Sequence, residues 1–332
     1  MKRIVRGLKK LELYELVGIV VSLIALSLFF AYGDDVDALQ GQAGWHYQPV
    51  IWIWNIYSDF IPKAILAALL FLVSFGWWKH RSIGWGLMQT WNGVRIFLPF
   101  CVLLIIYRAL NFYIPLFSPV DRDGWLMAID SWIFGEQPVL WMQQWIHPLA
   151  TDFFSFVYMI WFPMIFLTLL LMMLKSKTAV TSYVTSVLFC FYLGYFCYTL
   201  VPAVGPLYAL QHVFTVDLGG GALTSLQNSV VIQEDLSVPR DVFPSLHTAI
   251  SCVMLFYVGK FYRKLLWVYA PLVVSILIST VYLRYHYAID VIAGILLASA
   301  MCYFGMRWNG WWRARRERQR TERAVSSPVK MS

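Results

Sequence analysis

Two short stretches near the C-terminal end carry the residue types that could do chemistry. Residues 240–248 read RDVFPSLHT and residues 284–290 read RYHYAID, and each lies where a loop meets a long apolar segment. Two apolar segments joined by a basic turn separate them, so a helical hairpin would return His286 to the membrane face of His247. Two histidines, one followed by a carboxylate, beside several arginines are suited to phosphoryl transfer.

The second stretch contains a histidine and a carboxylate at helical spacing. Asp290 follows His286 by four residues, so on a helix the two side chains share one face, about 6 Å apart along the axis. A carboxylate bonded to one ring nitrogen fixes the imidazole tautomer and leaves the other nitrogen free to attack. The alternative is a His–Asp pair within the membrane that merely joins helices. An ionisable residue in an apolar helix favours a functional site.

The first stretch has the pattern of a helix start. Pro244-Ser245 before an apolar run predicts Ser245 as the N-cap, with His247 in the first turn. The free backbone N–H groups and the positive end of the helix dipole would favour a phosphate there. Ser245 and Arg240 could donate further hydrogen bonds to a phosphate bound there. The alternative is an ordinary interfacial helix cap beside a solvated histidine.

Composition predicts an all-α, polytopic membrane helix bundle. The chain has 332 residues, of which 60% are hydrophobic and 13% are charged, whereas soluble domains are about 25% charged. We expect about eight transmembrane helices plus short interfacial helices, forming one bundle. The predicted parts are an N-terminal interfacial helix (1–15), a transmembrane catalytic domain (16–307) with its motif core at 202–294, and a basic cytoplasmic tail (308–332). The five cysteines show no metal-ligand spacing, and no metal or other cofactor is expected.

Apolar runs and breakers place the individual helices. The predicted spans cover residues 16–32, 62–78, 95–116, 151–174 and 179–201, and three more begin near residues 245, 265 and 286. Gly33 and the acids after it should end the first helix. Residues 118–149 predict two short helices in the outer interface. Residues 202–244, which open with a Gly205-Pro206 turn, predict a long loop.

The distribution of positive charge predicts the orientation. The net charge is +8, and all but five of the 26 Lys and Arg fall in segments expected inside, which places both termini in the cytoplasm and the site on the periplasmic or lumenal face. The basic C-terminal run is typical of contact with an anionic leaflet and not with nucleic acid. An anionic substrate, or pairing with outer acids, would explain the five exceptions. These are Lys63, Arg108, Arg122, Arg240 and Arg284, of which Arg108 should point into the bundle because a lipid-facing arginine is costly.

These motifs resemble a known enzyme family. Pro244-Ser245-Leu246-His247 and His286-x-x-x-Asp290 are similar to the second and third motifs of the type-2 phosphatidic acid phosphatase superfamily. The Gly205-Pro206 turn and the run from Arg284 to Gly294 look most like the branch that contains fungal inositol phosphorylceramide synthase. The resemblance implies a metal-independent, two-step reaction in which His286 attacks phosphorus, Asp290 raises its nucleophilicity, and His247 protonates the leaving oxygen and then activates the acceptor.

The resemblance also implies the substrates of the reaction, although the sequence departs from the family motifs in three places. The expected donor is a lipid phosphate and the expected acceptor is a lipid alcohol or water, with Arg240, Arg284 and Arg108 on the phosphate. The Lys-x6-Arg-Pro motif is absent, Thr280 stands where an arginine is expected, and Leu246 replaces a glycine. These departures favour a transferase over a plain phosphatase of phosphatidate or polyprenyl diphosphate. Outside this class, a transporter, a lipid-binding protein or an inactive scaffold are the alternatives.

Overall fold

The larger part of the chain is described by a computed structural model. It describes residues 11–41, 43–51, 54, 83–231 and 239–326. Within these ranges, only the backbone is described at residues 83–90, 230–231, 320 and 323–326. Within these ranges the chain is helical and contains no strand. It divides into two compact units, one of Tyr14–Leu116 and the other of Met1–Leu13 with Phe117–Ser332. The all-α prediction is confirmed, and the predicted helix over 62–78 lies outside the described residues.

Eleven α-helices occur in the described ranges, and two of them lie where a loop was expected. The two short helices predicted over 118–149 are confirmed as α3 and α4, and the predicted loop over 202–244 contains α7 and α8. The helices are α1 (Leu13–Gln40), α2 (Ile83–Phe117), α3 (Asp123–Phe134), α4 (Pro138–Trp141), α5 (Pro148–Lys175), α6 (Lys177–Leu200), α7 (Pro206–Ala209), α8 (Ala222–Val231), α9 (Leu246–Phe261), α10 (Leu266–Tyr282) and α11 (Ala288–Ser326).

In the part of the chain that the structure describes, six helices are long and apolar enough to cross a membrane, namely α1, α2, α5, α6, α10 and α11. The apolar helix α9 has 16 residues and rises about 24 Å, less than a hydrocarbon core of about 30 Å. The protein is therefore an integral, multi-pass membrane protein. The six long helices and the shorter α9 lie at seven of the roughly eight predicted spans, and the eighth, over 62–78, lies outside the described residues.

The smaller unit contains α1 and most of α2. Arg95 of α2 donates from Nε and Nη2 to the two carboxylate oxygens of Glu15, both at 2.6 Å. The prediction that the first helix ends near Gly33 is wrong, because α1 continues to Gln40. A single glycine costs a helix only about 1 kcal/mol, and the Asp37 carboxylate accepts hydrogen bonds from the backbone of Gly44 and His46 at 2.6 and 2.9 Å. The chain therefore turns after Gln40 instead.

In the larger unit, α9 is the central helix. It contacts α5, α6, α10 and α11, and its side chains at Ala249, Ile250, Val253, Met254, Tyr257 and Val258 are buried. Its first turn is joined to the start of α11, since the Ser245 N–H donates to the Asp290 carbonyl at 3.0 Å. The bundle thus brings the beginnings of α9 and α11, which carry the two motifs, to the same place.

Close packing at this junction depends on Gly294. A Cβ atom built at this position of α11 would lie 2.6 Å from the Ser245 carbonyl oxygen and 2.9 Å from Thr248 Cβ. Both distances are shorter than ordinary carbon contacts, so a larger side chain would push α11 away from the first turn of α9. Gly294 therefore sets how closely the two motifs approach each other.

Candidate active site

Ser245 is the N-cap of α9, as predicted. Its Oγ accepts a hydrogen bond from the Thr248 N–H at 3.3 Å, which satisfies one of the free donors at the start of the helix. The Ser245 residue is completely buried. The hydroxyl therefore holds the first turn in place, and its predicted contact with a phosphate stays a prediction.

His247 follows in the first turn of α9 and lies among aromatic rings of α5. Its imidazole stacks on Tyr158, with ring centroids 4.3 Å apart at 24°, and is tilted against Trp161 at 4.1 Å. The Trp161 indole N–H donates to the His247 backbone carbonyl at 3.1 Å. The Tyr158 hydroxyl lies 3.5 Å from Nδ1 of His247. These contacts fix the orientation of a ring that is itself only half-buried.

His286 lies in the connection between α10 and α11, which differs from the prediction that it opens the last helix. The helix begins two residues later, at Ala288. The imidazole of His286 is buried, and its Nδ1 lies 3.5 Å from Oδ2 of Asp290. That contact is too long or too poorly aligned for a hydrogen bond. Asp290 Oδ2 instead accepts from the Tyr287 N–H at 2.8 Å, so Asp290 stands beside His286 while it also caps its own helix.

The two imidazoles converge. The ring centroids of His247 and His286 are 6.2 Å apart at an interplanar angle of 57°. The elements that hold them are tied by the Ser245-to-Asp290 backbone bond described above. A phosphorus atom and its leaving oxygen could fit between the two rings at this separation. One imidazole would then contact the phosphorus and the other would contact the leaving oxygen. The geometry suits a nucleophile on one ring and a proton donor on the other.

Burial and charge set the protonation of His286, which lies outside the spans. Burial lowers the pKa of His286 to about 4, while the Asp241 carboxylate and a hydrogen bond to the Val242 carbonyl both act to raise it. At neutral pH the ring is therefore uncharged and keeps a lone pair for attack on phosphorus. Asp241, one residue after Arg240, is a charged neighbour of the site that the sequence analysis did not single out.

Two acids of α3 support the second motif. Asp130 Oδ2 and Oδ1 accept from the backbone N–H groups of Ala288 and Ile289 at 2.9 and 2.8 Å, so Asp130 caps α11 from another helix. Asp123 Oδ1 accepts from the Tyr287 hydroxyl at 2.9 Å. Both acids are buried. The sequence analysis missed their roles, although their spacing of seven residues, which places them on one face of a helix, is a signal that could have found them.

The Gly205 turn packs against the second motif. Asp123 also accepts from the backbone N–H groups of Val204 and Gly205, at 3.0 and 2.9 Å. Gly205 has a φ of 85°, and a Cβ there would lie 2.8 Å from the Tyr285 carbonyl oxygen. Only glycine accommodates both the backbone angle and this close approach.

Arg284 is held in an unusual conformation beside His286. Its φ is 66°, a value uncommon for residues other than glycine. The guanidinium carbon lies 3.8 Å from the centroid of the Phe214 ring, and Nη2 donates to the Val216 carbonyl. Burial lowers the pKa of Arg284, an effect that the charge of Asp217 opposes. Strained backbone at such a place is typical of functional sites.

The other two predicted phosphate ligands lie elsewhere. Arg240 is partly exposed and forms a two-pronged ion pair with Asp121, at 2.5 Å from Nε and 3.2 Å from Nη2. Arg108 lies half-buried in α2, within the smaller unit, and its predicted position inside the bundle stays a prediction. The Arg284 guanidinium thus lies against Phe214 and Val216, Arg240 forms an ion pair, and the contact of all three arginines with phosphate stays a prediction.

The fold and this site define an integral membrane enzyme of the phosphatase and phosphotransferase class. The profile of the PAP2 superfamily matches residues 124–304, more than half of the chain, and the protein belongs to that superfamily. The match contains α3 without its first residue, Asp123, and so includes Asp130 and both histidine motifs. Among curated proteins and solved structures there is no match. Membership of this superfamily supports lipid phosphates as substrates. The match gives no evidence for the branch that contains inositol phosphorylceramide synthase.

Proposed function

We propose that the protein transfers a phosphoryl or head-group phosphate from a lipid to an alcohol or to water through a phosphohistidine on His286. The observation that carries this proposal is the convergence of the His247 and His286 rings, 6.2 Å apart, with Asp290 directly beside His286. This arrangement offers an uncharged nucleophile, a carboxylate that can stabilise the charge it acquires, and a second imidazole for proton transfer.

In the first step, a ring nitrogen of His286 attacks the phosphorus of the lipid ester. The N–P bond forms as the P–O bond to the leaving group breaks, and the leaving alkoxide takes a proton from the imidazolium of His247. The imidazole of His286 becomes positively charged when it is phosphorylated, and the carboxylate of Asp290, 3.5 Å from Nδ1, stabilises that charge. The lipid alcohol, for example a diacylglycerol, leaves.

In the second step, the acceptor hydroxyl attacks the phosphohistidine. His247, now neutral, takes the hydroxyl proton, the new P–O bond forms, and the P–N bond to His286 breaks. Both histidines then have their starting protonation. Water as the acceptor gives hydrolysis, and a lipid alcohol gives a new phospholipid, so the same residues support both outcomes.

Positive groups stabilise the phosphate oxygens in this scheme. Arg284 is the nearest of the three arginines in the chain to the nucleophile, two residues before His286, and it would have to turn its guanidinium from Phe214 and Val216 to reach a phosphate. The first turn of α9 contributes backbone N–H groups and the positive end of its dipole. Arg240 could also bind the phosphate if its ion pair with Asp121 breaks. The assignment of Arg108 to the phosphate rests on the sequence alone.

The charges at the ends of the helices support the predicted orientation. The motifs stand at the beginnings of α9 and α11, and the opposite ends of the same helices carry basic residues, including Lys260 and Arg313. At that opposite end the Glu12 carboxylate pairs with Lys177 at 3.1 Å and with Arg316 at 2.7 Å. By the positive-inside rule the basic ends are cytoplasmic, which puts the active site on the periplasmic or lumenal face. Labelling of single cysteines by membrane-impermeant reagents tests this orientation.

The finer proposal is head-group transfer of the type catalysed by inositol phosphorylceramide synthase, and the alternative is a plain phosphatase. The absent Lys-x6-Arg-Pro motif and the presence of Thr280 in place of an arginine support the transferase. The test is to incubate the purified protein with labelled lipid phosphates, with and without ceramide or diacylglycerol. A new labelled lipid supports transfer, whereas free phosphate alone rejects it in favour of hydrolysis. No product from any lipid would reject the function altogether.

A further inference from the structure

Two aromatic side chains of α5 pack against the imidazole of His247. The Tyr158 ring stacks on it, with centroids 4.3 Å apart at an interplanar angle of 24°, and the Trp161 ring lies at 4.1 Å and 37°. Tyr158 and Trp161 are three residues apart, so they share one face of the helix. Helix α5 therefore takes part in the site although it carries neither histidine motif.

The two histidines of the site have different polar neighbours. His286 has the Asp290 carboxylate 3.5 Å from its Nδ1. Among the residues that the structure describes, no carboxylate forms an ion pair with His247. Its Nδ1 instead faces the Tyr158 hydroxyl at 3.5 Å. This distance is long for a hydrogen bond, but hydrogen bonds of catalytic groups often shorten when the substrate binds.

The proposed reaction restricts which nitrogen of His247 exchanges a proton. His247 first donates a proton to the leaving oxygen and then accepts one from the acceptor hydroxyl. One ring nitrogen must therefore lose and regain its proton, while the other keeps its own in both forms. Nδ1 faces the Tyr158 oxygen, which can accept a hydrogen bond from Nδ1–H throughout. Nε2 is then the nitrogen that exchanges the proton.

The aromatic rings also favour the charged form of His247. The proton donor of the first step is an imidazolium, and the residue is half-buried. The face of an aromatic ring attracts a cation that lies within about 6 Å of its centroid, and Trp does so most strongly. Tyr158 and Trp161 both lie within that distance. They can therefore stabilise the positive charge of His247 without the help of a carboxylate.

Further contacts hold Tyr158 between the two histidine motifs. Its ring lies 4.9 Å from the ring of Tyr285, which directly precedes His286. The Tyr285 hydroxyl in turn accepts a hydrogen bond from Gln227 Nε2 at 2.8 Å. On the side of the first motif, the stacked imidazole of His247 is 6.2 Å from that of His286. A change at Tyr158 therefore acts directly on the ring that exchanges protons with the substrate.

We propose that Tyr158 is a positioning residue for His247. Its hydroxyl oxygen accepts a hydrogen bond from Nδ1–H and its ring stabilises the imidazolium. Nε2 then carries the proton that the leaving oxygen takes, and it receives the proton of the acceptor hydroxyl in the second step. Tyr158 itself neither gains nor loses a proton. This inference rests on the proposed function, since it assigns a residue to the proton transfer of the same reaction.

The test uses the dependence of the rate on the leaving group. An alkoxide needs the proton of His247 to leave, whereas a nitrophenolate does not. Full-length protein in mixed micelles is assayed with dodecyl phosphate and with a nitrophenyl phosphate that carries the same dodecyl chain. The quantity compared is kcat/KM, which covers only the steps up to departure of the leaving group. In Tyr158→Phe it should fall about tenfold for the alkyl ester, as expected for the loss of one hydrogen bond, and stay close to the wild-type value for the nitrophenyl ester.

Three further variants distinguish positioning from a structural role. Tyr158→Leu, which also removes the aromatic ring, should lower the alkyl-ester value about a hundredfold. In a His247→Ala background, Tyr158→Phe should cause no additional loss, because it acts through His247. Tyr303→Phe is the matched control, since its exposed hydroxyl also has a partner at 3.5 Å, Arg307, and it should keep wild-type values for both esters.

Several outcomes would overturn the proposal. An equal loss on both esters in Tyr158→Phe, or an additional loss in the His247→Ala background, makes Tyr158 structural only. Wild-type activity of Tyr158→Phe on the alkyl ester likewise rejects the role. If Tyr158→Leu fails to fold, Tyr158→Phe, which keeps the ring, decides alone.

A spectroscopic measurement separates this inference from the proposed function. Nitrogen NMR on protein with isotope-labelled histidine reports which ring nitrogen carries the proton, and the signals of His247 are those absent from His247→Ala. The neutral ring should have its proton on Nδ1 in the wild type and should lose this preference in Tyr158→Phe. That result without turnover of either ester by the wild type supports the contact and rejects the catalytic assignment. A wild-type neutral ring with its proton on Nε2 overturns the positioning role, whether or not the protein turns over.

Discussion

The Asp130 carboxylate binds the backbone N–H groups of Ala288 and Ile289 at 2.9 and 2.8 Å, and this contact from α3 holds the start of the helix that follows His286. Because the first turn of α11 also positions Asp290, the orientation of the nucleophile depends on a residue far away in the sequence. The site is thus formed jointly by α3 and by the starts of α9 and α11.

Replacing His286 and replacing His247 should affect turnover and the phosphorylated intermediate differently. His286→Ala should abolish turnover and form no covalent adduct. His247→Ala should lower turnover by about 10²–10⁴-fold, the usual contribution of a general acid–base, and should accumulate a phosphorylated enzyme from an ester with a good leaving group. Acid-labile label on rapidly quenched protein measures the adduct. Label on His286→Ala, or full activity in either variant, contradicts the assignment.

Asp290 should matter through its charge more than through its hydrogen bond. Asp290→Asn keeps an oxygen that can accept from the Tyr287 N–H, yet it removes the negative charge 3.5 Å from His286 Nδ1. We expect kcat to fall about a hundredfold, at the lower end of the effect of general acid–base groups, with little change in KM. The control is thermal unfolding, which should stay close to that of the wild type. A fall in unfolding temperature that matches the loss of activity would make Asp290 purely structural.

The pH profile should report the burial of His286. Since the uncharged ring is the nucleophile, kcat/KM should fall as the pH drops through the pKa of His286, which is about 4 and not near the ordinary value of about 6.5. Asp241 raises that pKa, so Asp241→Asn should move the acid limb to still lower pH. The other ionisable groups that face the ring, Asp290 and His247, remain in this variant. An acid limb near pH 6.5, or one that rises in Asp241→Asn, argues against His286 as the nucleophile.

The ion pair between Arg240 and Asp121 decides whether Arg240 binds phosphate. Exposed pairs contribute only about 0–1 kcal/mol to stability, so the guanidinium can leave Asp121 at small cost. If Arg240 binds substrate, Arg240→Ala raises KM while Asp121→Ala, which frees the guanidinium, lowers it. If the pair is only structural, both variants behave alike. Steady-state kinetics on phosphatidate distinguishes the two cases.

The local features of the site could be read from the sequence, and the long-range ones could not. A helix cap depends on a few consecutive residues, so Ser245 was predicted correctly, and the Gly205-Pro206 turn was recognised for the same reason. The spacing of Asp123 and Asp130 could have placed both acids on one face of α3, but their contacts with the second motif depend on how α3 packs. The pairing of Arg240 with Asp121 and the positive φ of Arg284 are likewise results of the tertiary fold. The prediction that α1 ends near Gly33 failed because contacts beyond the helix outweighed the weak local preference of one glycine.

The cap that Asp130 provides should be measurable as stability and activity together. Asp130→Ala leaves two buried N–H groups of α11 without a partner, and it should lower the free energy of unfolding by about 1–3 kcal/mol. Turnover should fall as well, because the start of α11 positions Asp290 beside His286. Asp130→Asn, which keeps one acceptor oxygen, should lie between the wild type and Asp130→Ala in unfolding temperature. Glu136→Gln, an exposed acid just after α3, is the matched control and should leave both quantities at wild-type values. If Asp130→Ala has the unfolding temperature of the Glu136→Gln control and wild-type turnover, the start of α11 does not depend on its contact with α3.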